Sequence, residues 1–107
     1  MTINVILEVS EFSTAAHYQE VVMDSFTQDF RGHGGYERVI PNVPVGPFSV
    51  VVASVTEVGD INGVVTPFQG AASLSVDDVV PEDGQVRIRG SIGWDSDLDF
   101  RLSCIVG

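Results

Sequence analysis

The segment GWDSDLDFRLSC, residues 93 to 104, places Asp95, Asp97 and Asp99 at alternate positions. Carboxylate oxygens in such a run are the ligands that calcium takes. Set against the calcium-loop pattern D-x-[DN]-x-[DN]-G-x5-E, the aspartates fill the first three ligand positions. Phe100, however, stands where a glycine turns the loop, and Val106 where a glutamate closes it. That excludes the helix-loop-helix calcium motif. A site assembled from separate loops needs only convergence, and Asp77, Asp78, Glu82 and Asp83 with Asp95 are the acids that would form one. Trp94 adds a flat ring of the kind that stacks on a sugar. Trp94, Asp95, Asp97 and Asp99 are therefore the candidate binding residues. The function they would serve is calcium-dependent binding of the lectin kind, with carbohydrate as a ligand.

The same aspartates have a structural role open to them. Val86, Ile88, Ile92, Trp94, Leu98, Phe100, Leu102, Cys104 and Val106 are all even-numbered, whereas Arg87, Arg89, Asp95, Asp97, Asp99 and Arg101 are all odd. Alternation of this kind gives a strand one apolar and one wet face. If residues 91 to 95 form a hairpin loop, Arg89 lies opposite Asp97 and Arg87 opposite Asp99, with Ile88 against Leu98 and Val86 against Phe100 inside. Cross-strand pairs of these kinds contribute roughly 0.2–1 kcal/mol each. On this reading Trp94 is mostly buried and Asp95 is the carboxylate left without a partner.

His33, within RGHGG, sits among glycines that leave backbone N–H groups open to an oxyanion, and His17 is the other histidine. A small enzyme using His33 and a nearby acid is a further functional alternative. Nucleophilic catalysis needs a serine or cysteine meeting a base and an orienting acid, and no G-x-S-x-G elbow is present. Cys104 has the parity of the core, so it reads as a buried thiol. Two histidines and one cysteine without C-x-x-C or H-x3-H spacing make a poor zinc site. Carboxylates that could pair for glycoside hydrolysis are plentiful, but no cleft-forming layer accompanies them.

A net charge of −10, with five arginines and no lysine, makes nucleic acid and anionic membranes poor partners. The same composition suits a GC-rich genome or a salt-adapted protein. A single cysteine permits no intrachain disulfide. The opening MTINVILEVSEF has no positive n-region, so no cleaved signal peptide is expected, and no apolar run reaches the ~18 residues of a transmembrane helix. The expected location is cytoplasmic, or outside the cell by export without a cleaved signal. Hydrophobic residues make up 44% of the chain and mean hydropathy is +0.24. Either the core is generous or another subunit covers part of the surface.

The elements that would position these residues follow from periodicity. Ile3, Val5, Leu7 and Val9 alternate as a first strand. Ala15, Tyr18, Val22, Phe26 and Phe30, spaced by three and four, predict an amphipathic helix over about residues 14–30, with Ser13 or Thr14 as its cap. RGHGG breaks it. YERVI and FSVVVASVTEV then read as strands, the second either buried on both faces or central in a sandwich, and GDING as a turn. VVTPF is an edge strand because of Pro67, AASLSV a weak strand and DDVVPEDG an acidic connection. The expectation is one domain, residues 1–107, folded as a mainly β, antiparallel Greek-key sandwich of about seven or eight strands with one helix.

Residues 34 to 55, GGYERVIPNVPVGPFSVVVASV, carry Asn42, Val43, Pro44, Gly46 and Phe48 followed by alternating Val50 and Val52. This segment resembles the strand-turn-strand unit of carboxypeptidase regulatory-like domains, which are prealbumin-like β-sandwiches. Pro47 and the helix expected after the first strand depart from that family. The resemblance implies a Greek-key sandwich with a binding or structural role, and carries over no site residue. With no nucleophile constellation, no metal-ligand spacing and no phosphate loop, the leading expectation is a non-catalytic binding or assembly module. It would act through its surface on a protein partner or as a homo-oligomer subunit, with no cofactor unless calcium.

Overall fold

The computed structural model describes residues 2–10 and 16–107, with side chains from residue 23 onward. Among the described residues the chain forms eight strands and no helix. These are β1 (Thr2–Ser10), β2 (Ala16–Gly32), β3 (Gly34–Pro41), β4 (Val51–Ile61), β5 (Val64–Pro67), β6 (Ser73–Glu82), β7 (Gln85–Gly93) and β8 (Leu98–Val106). They build two antiparallel sheets, one ordered β1-β2-β8-β4-β5 and the other β3-β7-β6. VVTPF is the edge strand β5, as its proline requires.

The segment expected to be helical is the long strand β2; residues 14 and 15 lie outside the described residues. A spacing of four satisfies a strand as well as a helix, because Phe26 and Phe30 share a parity and so a face. Both rings pack against the core, and the Phe30 ring stacks on Phe100 at 5.9 Å between centroids. β2 is used in two halves: Ala16–Asp24 pairs with β1, and Asp24–Gly32 pairs with β8 on the other side. The β1–β2 ribbon therefore projects past the body of the sheet.

The parity of the last two strands holds. Val86, Ile88, Ile92, Phe100, Leu102, Cys104 and Val106 are buried, and the odd positions between them face outward. The expected hairpin between these strands does not form. β7 pairs with β3 and β6, whereas β8 pairs with β2 and β4 in the other sheet. Parity fixes which face is wet but not which strand lies alongside, and two apolar faces are buried as well against each other as side by side. The acidic segment DDVVPE likewise belongs to strand β6, with a register shift between Val76 and Asp78 that absorbs its irregular pattern. β4 is an interior strand, between β8 and β5: Val51, Ala53 and Val55 pack on the core, and on the other parity Val52 is 66% exposed whereas Val58 is buried.

The core lies between the sheets. Tyr36 and Ile40 from β3, Val86, Ile88 and Ile92 from β7, and the even positions of β8 form one buried cluster. The Tyr36 ring meets Phe100 at 5.1 Å, and its hydroxyl donates to the Ser75 carbonyl at 2.7 Å. Corners at the two ends carry the chain between sheets. At one end Gly34, with φ of 68°, lets the chain turn from β2 into β3, and residues 94 to 97 lead from β7 to β8. At the other end the β3–β4 connection is held by Gly84 of the β6–β7 turn. Gly84 donates its N–H to the Val45 carbonyl at 2.9 Å and accepts from the Val43 N–H at 3.0 Å.

Candidate functional site

The charged groups form two ladders, one on the outside of each sheet. On the three-stranded sheet Arg89 pairs with Asp78, and Arg87 donates to Glu82 at 3.2 and 3.3 Å and to Glu37 at 3.4 Å. Gln85 adds a hydrogen bond to Glu82 at 2.6 Å. The Arg87 and then the Gln85 hydrogen bonds hold the Glu82 carboxyl below its ordinary value. On the five-stranded sheet Arg101 grips Asp29 with both ends of its fork, at 2.7 and 3.1 Å, and lowers the Asp29 pKa. One row further along, Arg31 donates to Asp99 at 3.0 Å.

This ladder ends at the corner of the two sheets, where His33 Nδ1 lies 2.6 Å from Asp97 Oδ1. His33 follows β2 directly, and Asp97 immediately precedes β8, whose Leu98 is paired with Gly32. The last pairs of β2 with β8 thus bring the two side chains together. Both are half exposed. A histidine so held by a carboxylate has the orientation of a general base. The thiol that would be its nucleophile is elsewhere: Cys104 is fully buried in the core, and burial pushes its pKa up.

Of the aspartate run, Asp99 is a cross-strand ion-pair partner, as the alternation suggested but with a different mate, and Asp97 is a hydrogen-bond partner at the sheet corner. Asp99 is taken by Arg31 and Asp97 by His33, neither of them in β7. Trp94 is 43% exposed, against the burial its parity predicts. The chain leaves β7 at Gly93, and the Trp94 N–H turns back to the Ile92 carbonyl at 2.9 Å, which takes the ring off the strand's alternation. Asp95 sits in the same connection, without an ion-pair or hydrogen-bond partner among the described residues.

The five acids considered for a metal are spread along the β6–β7 hairpin. Glu82 and Asp83 lie at its turn, Asp77 and Asp78 at its middle and Asp95 beyond its open end. The nine residues of β7 span about 30 Å at ~3.3 Å each, so the ends cannot share an ion. Among the described residues no three His, Cys, Asp or Glu side chains form a metal-holding group. The side chain of His17 lies outside the described residues.

A groove of about 450 Å³ opens where β4 leaves β8 to pair with β5. Phe30, Val58 and Val65 line it together with Asp29, Asp60 and Asp99. Of its carboxylates, Asp29 is engaged by Arg101 and Asp99 by Arg31, while Asp60 accepts the Gly63 N–H at 2.7 Å.

Beyond these groups the outer face of the five-stranded sheet changes character along its length. After the ion-pair rows come hydroxyls, with Thr27 and Ser103 hydrogen-bonded at 3.0 Å and Ser54 beside Ser103 in register. Next are Ile105 and Val52, paired in register. Val50 follows at 77% exposure, and Phe48 is 99% exposed. Charge-based reading of the sequence passed over this apolar end, since a β-branched run looks the same whether both faces are buried or one is open.

Comparison with protein-family models, with curated proteins and with solved structures finds no match for this chain.

Proposed function

We propose that the protein is a non-catalytic association module, a binding or assembly unit working through the apolar end of its five-stranded sheet. The observation that carries this reading is the surface left open. The chain exposes 6952 Å², where a compact monomer of its mass exposes about 5,800 Å². Its radius of gyration is 16.8 Å, against about 13 Å for a compact chain of this length. The outermost apolar residues, Phe48, Val50 and Val52, lie together at that end of the sheet. Contiguous exposed apolar surface of this kind marks an interaction site.

The test is a photo-crosslinking residue at position 48, with position 61 as the control. Ile61 is also an exposed apolar residue, at 45%, but lies at the far end of β4, paired with Val64 of β5. Capture of a protein in high yield at 48 and not at 61 is the expected result. Equal, weak capture at both positions removes the reading.

The architecture proposed with it is a Greek-key sandwich. Supporting this, the chain crosses between the sheets after β2, β3, β5 and β7, so that strands distant in sequence become neighbours. Residues 34 to 55 supply β3, its turn and the start of β4, in keeping with the resemblance to carboxypeptidase regulatory-like domains.

One observation favours a second reading, the small enzyme: the 2.6 Å contact of His33 with Asp97. Its test is direct. Any activity found in the purified protein must be lost in His33→Ala and reduced in Asp97→Asn.

A further inference from the structure

We infer that the partner at this surface is a second copy of the chain, joined about a two-fold axis through the apolar end of the five-stranded sheet and the adjoining β1–β2 ribbon. The inference rests on the association reading and names its partner.

Position comes first. β4 begins at Val51 opposite Val106, and Val106 lies opposite Asp24, the residue at which β1 joins β2. Phe48, Val50, Val52 and Ile105 therefore gather at the root of the ribbon, and the ribbon prolongs the sheet they lie on. A two-stranded ribbon is marginally stable in water unless a face is covered.

Charge selects the partner. The patch of Phe48, Val50, Val52 and Ile105 carries no charged side chain. A basic partner would be met by carboxylates at the centre of its site. A partner that itself carries −10 can approach only where charge is absent, because like charges brought together oppose association.

Area agrees. The excess over a compact monomer is roughly 1,100 Å², and a stable interface buries about 800 Å² per partner. A surface that meets its own copy forms a closed two-fold pair, since each side offers the same patch.

Light scattering on the purified full chain at tens of micromolar is expected to return twice the chain mass of 11.5 kDa. Val52→Glu, at a position 66% exposed, is expected to raise the dimer dissociation constant roughly tenfold or more. Val64→Glu, 64% exposed on edge strand β5, is expected to leave it within about twofold. If Val52→Glu does not fold, Val52→Thr, which keeps the shape, must still weaken the dimer. A wild-type mass of one chain overturns the inference, and so does a dimer indifferent to position 52. If the mass is that of one chain while position 48 captures a different protein, the dimer falls and the association reading stands. If neither occurs, both fall.

Discussion

A Cβ at position 90 would overlap the Ser75 carbonyl and the Tyr36 ring, so the core at this point is closed around a missing side chain. Gly90→Ala must push Tyr36 off Phe100 or open β6 from β7, at a cost of about 1–3 kcal/mol or more, measured by urea unfolding. Tyr36 itself gives a pH signature. Burial, and then the charge of Asp77, push its phenol up to about 12 from an ordinary value of 10.0. Because the folded value is the higher one, the stability it contributes is complete below about pH 10 and is lost as pH rises toward about 12. Spectrophotometric titration should show one of the two tyrosines ionising late, and Tyr36→Phe should flatten the alkaline fall in stability. Much at this scale was legible in the sequence. The parity of Arg87, Arg89, Asp97 and Asp99 named the wet faces, and Cys104 was placed in the core. Which arginine meets which aspartate was not legible, because a pairing rule acts only once neighbours are known. Trp94 escaped because alternation ends with the strand, one residue before it.

Among the elements, the β6–β7 turn is the joint that ties the sheets at one end. Gly84 there has φ of 75° and bonds both Val43 and Val45 through its backbone. Gly84→Ala keeps those groups but forces a side chain into the left-handed region, at about 1–2 kcal/mol. Gly46→Ala has an ordinary neighbour, the Asp83 carboxylate at 3.7 Å, and no positive φ, so it should cost less. Comparing the two by thermal melting separates backbone strain from loss of a glycine in general. The same scale shows why β2 resisted reading. Phe26 and Phe30 are four apart, Tyr18 and Val22 continue the series, and two turns of strand alternation fit that spacing as well as one helical turn. Far-UV circular dichroism decides between them: a strand spectrum without helical minima is expected, and a helical contribution near 15% would contradict the sheet assignment. β7 meets β6 through the short turn between Glu82 and Gln85, but its pairing with β3, instead of β8, depends on contacts between residues some fifty apart. No local pattern encodes it.

For the molecule as a whole the dominant quantity is the imbalance of fifteen acids against five arginines. The ion pairs use most of the arginines, Arg31, Arg87, Arg89 and Arg101, and leave a large residue of uncompensated carboxylates. Salt acts on both terms. It weakens exposed pairs worth at most about 1 kcal/mol each, and it screens the self-repulsion of the net charge, which acts over about 10 Å at 0.1 M salt and only about 3 Å at 1 M. Repulsion involves every acid and the pairs only a few, so screening wins. The melting temperature should rise between 0.1 M and 1 M sodium chloride, and further in sulfate, which also strengthens apolar burial. The dimer should tighten in parallel, since its contact surface holds no charge pair for salt to break. A melting temperature that falls with salt would mean that the two ladders outweigh the net charge. A dimer that loosens with salt would mean that charged groups, and not Val52 and its neighbours, hold the copies together.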